Sequence, residues 1–116
     1  MVLVDSSVWI DFFSKGTSPV KEKLTSLIAV SDEVVLCGLI LQEVLQGFKL
    51  EEEFKEAQRA LLKFPLIDPD RSTYLQAANF YRQLKRHGVT IHSIDVLLAA
   101  LAIQWDASLF TLDRDF

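Results

Sequence analysis

Val2-Leu3-Val4-Asp5-Ser6-Ser7 opens the chain with three apolar residues, an acid and two small hydroxyls. A short apolar run closed by turn-forming Asp and Ser reads as a buried strand handing over to a helix. A serine is expected to cap that helix, which should run from about Val8 to Phe13. The same alternation continues outward. A helix starts at Ser18-Pro19, with Pro at its first position and Val20, Leu24, Leu27 and Ile28 at helical spacing. Glu33 to Cys37 reads as a second buried strand, and the helix after it ends near Gly47 with Leu41, Val44, Leu45 and Phe48 on one face. Leu50, Phe54, Ala57 and Leu61 mark a further amphipathic helix stopped by Pro65, and Phe64 to Ile67 reads as a short strand. Tyr74, Ala77, Ala78, Tyr81 and Leu84 set another helix, ended by Gly88 with Lys85, Arg86 and His87 in its last turn. Ser93 is expected to cap a very apolar helix reaching about Trp105, which feeds a last strand from Ser108 to Leu112. Strands alternating with helices imply an α/β fold, a parallel sheet covered on both faces.

At 116 residues the chain suits one domain, spanning 1–116, with no internal repeat or linker. No apolar run approaches the ~18 residues that span a bilayer. The N-terminus lacks the basic leader and uninterrupted apolar segment of a signal peptide, so no membrane partner is expected. The single Cys37 sits among Val34, Val35 and Leu36, where a buried structural thiol in a reducing, cytoplasmic setting is the expectation. One cysteine and two histidines are too few for a structural zinc site. The net charge of −4 argues against a polyanionic partner at first sight. Two divalent cations held by the chain's acids would bring that total to roughly zero, so composition does not exclude RNA.

In α/β folds the working crevice lies beyond the carboxyl ends of the strands, and that rule sorts the acids. Asp5 closes the first strand. Asp113 and Asp115 close the last. Glu43 lies in the helix after the second strand, and Asp95 in the first turn of the apolar helix. Each has an ordinary alternative: Asp5 bonding turn amides, Glu43 facing solvent, Asp95 stabilising its helix N-terminus, and one of Asp113 and Asp115 solvated in a turn. Around Glu43, however, Leu39, Ile40, Leu41, Val44 and Leu45 leave little polar face. Asp95 enters Val96-Leu97-Leu98-Ala99-Ala100-Leu101-Ala102-Ile103, which looks buried all round. An unpaired buried carboxylate costs several kcal/mol, and no Lys or Arg stands close in sequence to Asp5 or Asp95. Converging carboxylates of this kind are reconciled by metal ions, and all-oxygen donors favour Mg²⁺ or Mn²⁺ over Zn²⁺.

These residues also match a known pattern. Val4-Asp5-Ser6-Ser7-Val8-Trp9-Ile10-Asp11 resembles the opening of PIN-domain proteins, especially VapC-type toxins of toxin–antitoxin pairs. Gln42-Glu43-Val44-Leu45-Gln46-Gly47 resembles that family's second motif, Ile94-Asp95-Val96-Leu97-Leu98-Ala99-Ala100 its third, and Thr111-Leu112-Asp113-Arg114-Asp115-Phe116 its fourth. Together they stand in order and cover the chain. The resemblance implies a three-layer α/β/α domain with a short parallel sheet of about four strands. It makes Asp5, Glu43, Asp95 and Asp113 the acidic metal-binding set, with Asp115 as an added ligand or as an acid that supports the ligands from behind. Ser6 and Thr111 match small hydroxyls that would orient the carboxylates or a metal-bound water. Gln42 and Gly47 read as packing and spacing features. Family members often continue into a further edge strand, whereas this sequence ends at Phe116, which would leave a sheet edge uncovered.

The implied chemistry is metal-dependent hydrolysis of RNA phosphodiester bonds, leaving 5′-phosphate and 3′-hydroxyl ends. The implied partners are an RNA substrate, a cognate antitoxin seated near the first helix, and a second copy in a homodimer. Arg114, beside the acidic motif, is the candidate contact to RNA. Arg82, Lys85 and Arg86 are alternatives that read first as a solvated helix face. His92 reads as a polar loop residue near Asp95, with contact to a substrate phosphate as its sharper role. Trp9, Phe12 and Phe13 read as core, with an interface as the alternative.

Other classes fit less well. A haloacid-dehalogenase-like phosphatase wants a second Asp two residues after the first, where Ser7 stands. A receiver domain wants a Lys near the last strand and a phosphorylatable Asp ending a central one. A PIN-like scaffold that binds RNA or protein without cutting would be marked by lost acids, and the acidic set is complete.

Overall fold

The computed structural model describes residues 1–30 and 32–113, so Arg114, Asp115 and Phe116 lie outside the described residues. The order is β1 (Val2–Val4), α1 (Ser6–Phe13), α2 (Pro19–Val30), β2 (Val34–Val35), α3 (Gly38–Leu45), α4 (Glu51–Leu61), α5 (Arg71–Arg86), α6 (Ser93–Gln104) and β3 (Ser108–Phe110). The strands form a parallel sheet in the order β2-β1-β3, with Val2 opposite Val34 on one side and Ser108 on the other. Successive residues on a strand point to opposite faces. Leu3 and Val4 are both fully buried, as are Val34 and Val35 nearly so, and the sheet is therefore covered on both sides. The α/β expectation holds.

Among the described residues the sheet has three strands rather than about four. The stretch expected as a further strand, Phe64 to Ile67, contributes a single parallel bridge between Leu36 and Leu66. Two backbone bonds make it: Leu36 N–H to the Pro65 carbonyl at 3.0 Å and Ile67 N–H to the Leu36 carbonyl at 2.7 Å. The ladder stops there because α3 begins at Gly38, whose N–H is taken instead by the Asp68 carboxylate at 2.7 Å.

Two helix starts also differ from expectation. Asp5 itself, not a serine, is the N-cap of α1, which begins at Ser6 instead of Val8. His92 is the N-cap of α6 and makes no side-chain capping bond, while Ser93 is the first helical residue. By contrast, Ser18 does accept from Lys21 N–H at 3.0 Å, ahead of Pro19. Gly88, at φ +78°, ends α5 as expected, with Val89 N–H returning to the Leu84 carbonyl at 2.9 Å.

The principal core joins β1 and β2 to Val8 and Trp9 of α1, Leu24 of α2, Ile40 and Val44 of α3, and Leu98 and Leu101 of α6. Cys37 is fully buried there, and burial pushes its thiol above the ordinary range. Trp9 is core, and Phe12 and Phe13 pack beside it, the latter against Phe48 at 5.8 Å between ring centres. The exposed apolar residue of α1 is Ile10. Helix α6 is buried through its middle, but Ile94 and Ile103 are exposed, so it is not covered all round. Among the described residues no helix is long and apolar enough to cross a membrane.

Candidate active site

Central strand β1 delivers Asp5 to the carboxyl end of the sheet, at the point where the chain leaves to β2 on one side and returns as β3 on the other. Such a reversal opens a crevice beyond the strand ends. Asp5 is only 6% exposed, and its carboxylate is fixed from several directions. Oδ1 accepts from Ser6 N–H at 2.8 Å; Oδ2 accepts from the Thr111 hydroxyl at 2.8 Å and the Ser7 hydroxyl at 3.2 Å. The hydroxyls are themselves tied to the end of β3. Ser7 Oγ accepts from Leu112 N–H at 3.1 Å, and Thr111 Oγ1 accepts from Asp113 N–H at 2.9 Å. One clamp thus joins the ends of two strands and holds the Asp5 carboxylate at their carboxyl end.

The Thr111 hydroxyl, one of the two hydroxyls expected beside the acids, donates to the Asp5 carboxylate. Ser6 acts through its N–H, and the hydroxyl on Asp5 comes from Ser7 instead. A signal for Ser7 was present in the Asp-Ser-Ser order, since a hydroxyl two residues after an Asp at a strand–helix turn is within reach of its carboxylate.

Glu43 projects from α3 and Asp95 from the first turn of α6, both half-buried. Burial first, then the charges of Asp5 and Asp95, hold Glu43 above the usual carboxylate range. Asp95 is also raised, by burial, the charges of Asp113 and Asp5 and a hydrogen bond with Asp113, while His92 pulls it slightly down. Repulsion thus links Glu43 with Asp5 and Asp95, and Asp95 with Asp5 and Asp113. The ion pair among the described residues lies elsewhere, between Lys55 and Glu51 on α4 at 3.9 Å.

Among the described residues no group of three or more His, Cys, Asp or Glu side chains is gathered closely enough to hold a metal ion as placed. What fits a hard divalent cation is the chemistry of the set. It is all carboxylate, no described Lys or Arg pairs with Asp5, Glu43 or Asp95, and one member is already aimed by hydroxyls. A cleft of about 470 Å³, lined by Glu43, His92, Ser93, Ile94 and Asp95, opens the acids to solvent. A larger cavity of about 660 Å³ between α5 and α6 is mostly apolar and reaches the acids only at Asp95, so the smaller polar cleft is the one that matches the chemistry. The expected contacts of Arg114 and Asp115 lie outside the described residues.

Comparison with known proteins agrees with this fold. The PIN domain family model matches residues 2–116. Ribonuclease VapC11 of Mycobacterium tuberculosis is 31% identical over 119 residues, covering 100% of this chain and 89% of that protein. A toxin–antitoxin complex from Klebsiella pneumoniae superposes with a TM-score of 0.80 at 21% identity, over 100% of this chain and 90% of that one. Mycobacterium tuberculosis VapC20, a sarcin-ricin loop cleaving toxin, superposes with a TM-score of 0.76 at 14% identity, over 99% and 92%.

Proposed function

The chain belongs to the PIN-domain family and is of its VapC type, and from this premise we propose that it is a Mg²⁺- or Mn²⁺-dependent endoribonuclease, the toxin of a toxin–antitoxin pair. The observation that carries the reading is Asp5 at the carboxyl end of the central strand, clamped by the Ser7 and Thr111 hydroxyls, with no described Lys or Arg paired to it, to Glu43 or to Asp95. Asp5, Glu43, Asp95 and Asp113 would hold the metal, with Asp115 as an added ligand. When bound, the cation supplies Lewis acidity that stabilises charge building on the phosphate oxygens.

The remaining work belongs to the chain. Ser7 and Thr111 lock the Asp5 carboxylate, so that its lone pairs are presented without a search over rotamers. Glu43 and Asp95, both raised above the ordinary carboxylate range by burial and neighbouring acids, would supply further carboxylate oxygens to the ion. The cleft admits a phosphodiester beside them. Water oxygen bonds to phosphorus as the bond to the 3′-oxygen breaks. One water proton passes to that leaving oxygen and the other to solvent, leaving 5′-phosphate and 3′-hydroxyl ends.

The protein partner we propose is an antitoxin that covers the cleft from the side of α1, where Ile10 is 56% exposed. We also propose a homodimer, for which exposed Tyr74 and Leu75 on α5 offer apolar surface, and a cytoplasmic setting. Asp5→Asn or Asp95→Asn should abolish Mg²⁺-dependent cleavage of single-stranded RNA while circular dichroism stays native. Undiminished cleavage by either variant rejects the reading.

A further inference from the structure

A second cavity of about 270 Å³, lined by Tyr81, Thr90, Ile91, His92 and Ser93, shares His92 and Ser93 with the acidic cleft, so the two are neighbours along the approach to α6. Its walls come from α5 and from the segment that leads into α6. The turn at Gly88 reverses the chain after α5 and sets Thr90 and His92 into the same groove as Tyr81. Across three extended residue steps, Thr90 to Ser93 spans up to about 10 Å, enough to continue a bound strand beyond the acids.

The chemistry of the two cavities differs. Glu43 and Asp95 line only the first cavity, His92 and Ser93 bring an imidazole and a hydroxyl to both, and Thr90 and half-buried Tyr81 line only the second. Lys85 lies over that ring, with its ammonium 5.9 Å from the centroid, and Arg82 follows Tyr81 on α5. An aromatic ring among hydrogen-bonding side chains, bordered by cations, is how proteins hold an unstacked nucleotide.

Resting on the ribonuclease reading, we propose that this groove is the subsite for the nucleotide next to the scissile phosphate of a single-stranded RNA. Tyr81 stacks on its base, Thr90 and His92 hydrogen-bond to its polar groups, and Lys85 and Arg82 take the neighbouring phosphate. The exposed ammonium over Tyr81 is loosely held, so an arriving base displaces it toward the phosphate. The subsite explains how a chain of net charge −4 engages a polyanion: two cations stand along the strand's path, away from the acids. Double-stranded RNA is excluded, because its bases are not free to stack on a side chain.

The test uses fluorescein-labelled hexauridylate with Ca²⁺ in place of Mg²⁺, to permit binding without cleavage, read by anisotropy and by amide chemical shifts of the whole chain. Tyr81→Ala should bind about tenfold more weakly, the loss expected from removing one stacking platform. Tyr81→Phe should bind near the wild-type level, and Thr90→Val and His92→Ala should show smaller losses. In cleavage with Mg²⁺, Tyr81→Ala should raise KM far more than it lowers kcat. The wild-type shifts should centre on Tyr81, Thr90 and His92, a readout that holds even where Tyr81→Ala does not fold. Shifts confined to another face, or wild-type affinity in folded Tyr81→Ala, overturn the subsite and leave the nuclease standing. A wild-type protein that cleaves no RNA with any divalent cation overturns the nuclease and the subsite with it.

Discussion

Asp70 and Asp95 stand at the N-terminal ends of neighbouring helices, and the protein treats their charges in opposite ways. Asp70 caps α5, where it accepts from Thr73 N–H at 3.1 Å, the Thr73 hydroxyl at 3.0 Å and the Ser72 hydroxyl at 2.9 Å, with the Gln104 amide at 3.3 Å. The Thr73 backbone bond and the donors around it hold its carboxyl at about 2. Asp95, in the first turn of α6, is raised by burial and by the charges of Asp113 and Asp5. The favourable helix terminus is common to both, so it does not decide the outcome. What decides it is whether the chain itself answers the carboxylate. Asp70 is fully answered by donors and serves the fold. Asp95 faces other acids, which fits a group whose counter-charge comes from outside.

Neutralising each acid in turn separates the two sites most strongly. Asp95→Asn or Asp5→Asn should cut metal-dependent RNA cleavage at least ~10²-fold, whereas Asp70→Ala should cleave like the wild type and lose urea resistance. Cleavage assays beside urea melts check both halves, and matched effects from the two positions would erase the distinction.

Next in size is the clamp on Asp5. Thr111→Val and Ser7→Ala should each lower activity and Mn²⁺ affinity about 10- to 100-fold, the range for partners that orient a metal ligand. Thr111→Ser should recover most of the loss. Calorimetric Mn²⁺ titration checks the affinity, and unchanged binding in Thr111→Val would show that the hydroxyl does not position the carboxylate.

Metal should also stabilise the fold. At 100 times its Kd, an ion that binds only the native state adds about 2.7 kcal/mol. Asp95→Asn should lose most of that gain and Asp70→Asn none of it, as read by melting with and without Mn²⁺.

The smallest effect is in the pH dependence of the metal-free protein, and it has opposite signs at the two sites. For Asp70, folded at about 2 against an ordinary 3.8, stability is present above 3.8 and lost as pH falls toward 2. For Asp95 and Glu43 the folded values lie above the ordinary 3.8 and 4.5, so the native state holds protons that the unfolded chain has released. Stability then falls as pH rises through the raised values. Asp95→Asn and Glu43→Gln should therefore be more stable than wild type in EDTA at neutral pH. Urea melts across pH 3 to 8 would contradict this if both variants were destabilised.

The sheet and its acids were legible because they rest on local chemistry. Val2-Leu3-Val4 followed by Asp5 states both a buried strand and the acid at its end, and Asp95 stands out against the aliphatic run behind it. The caps were less legible. Asp5 and Ser7 are both good capping residues, and only the orientation of the chain toward β3 decides which accepts from the helix and which donates to the acid. The fourth strand shrank to the Leu36–Leu66 bridge because α3 begins two residues later, a constraint set by distant Asp68. Tyr81 was read as one of a helix stripe, since nothing in its own neighbourhood of sequence announces that the turn at Gly88 brings Thr90 and His92 to its side.

The most direct measurement is anomalous diffraction from crystals soaked in Mn²⁺. The account predicts a manganese peak bonded to carboxylate oxygens of Asp5 and at least one of Glu43, Asp95 and Asp113, at roughly 2.2 Å. Crystals in which those oxygens stay apart in saturating Mn²⁺, or in which each closes on a lysine or arginine, would contradict it.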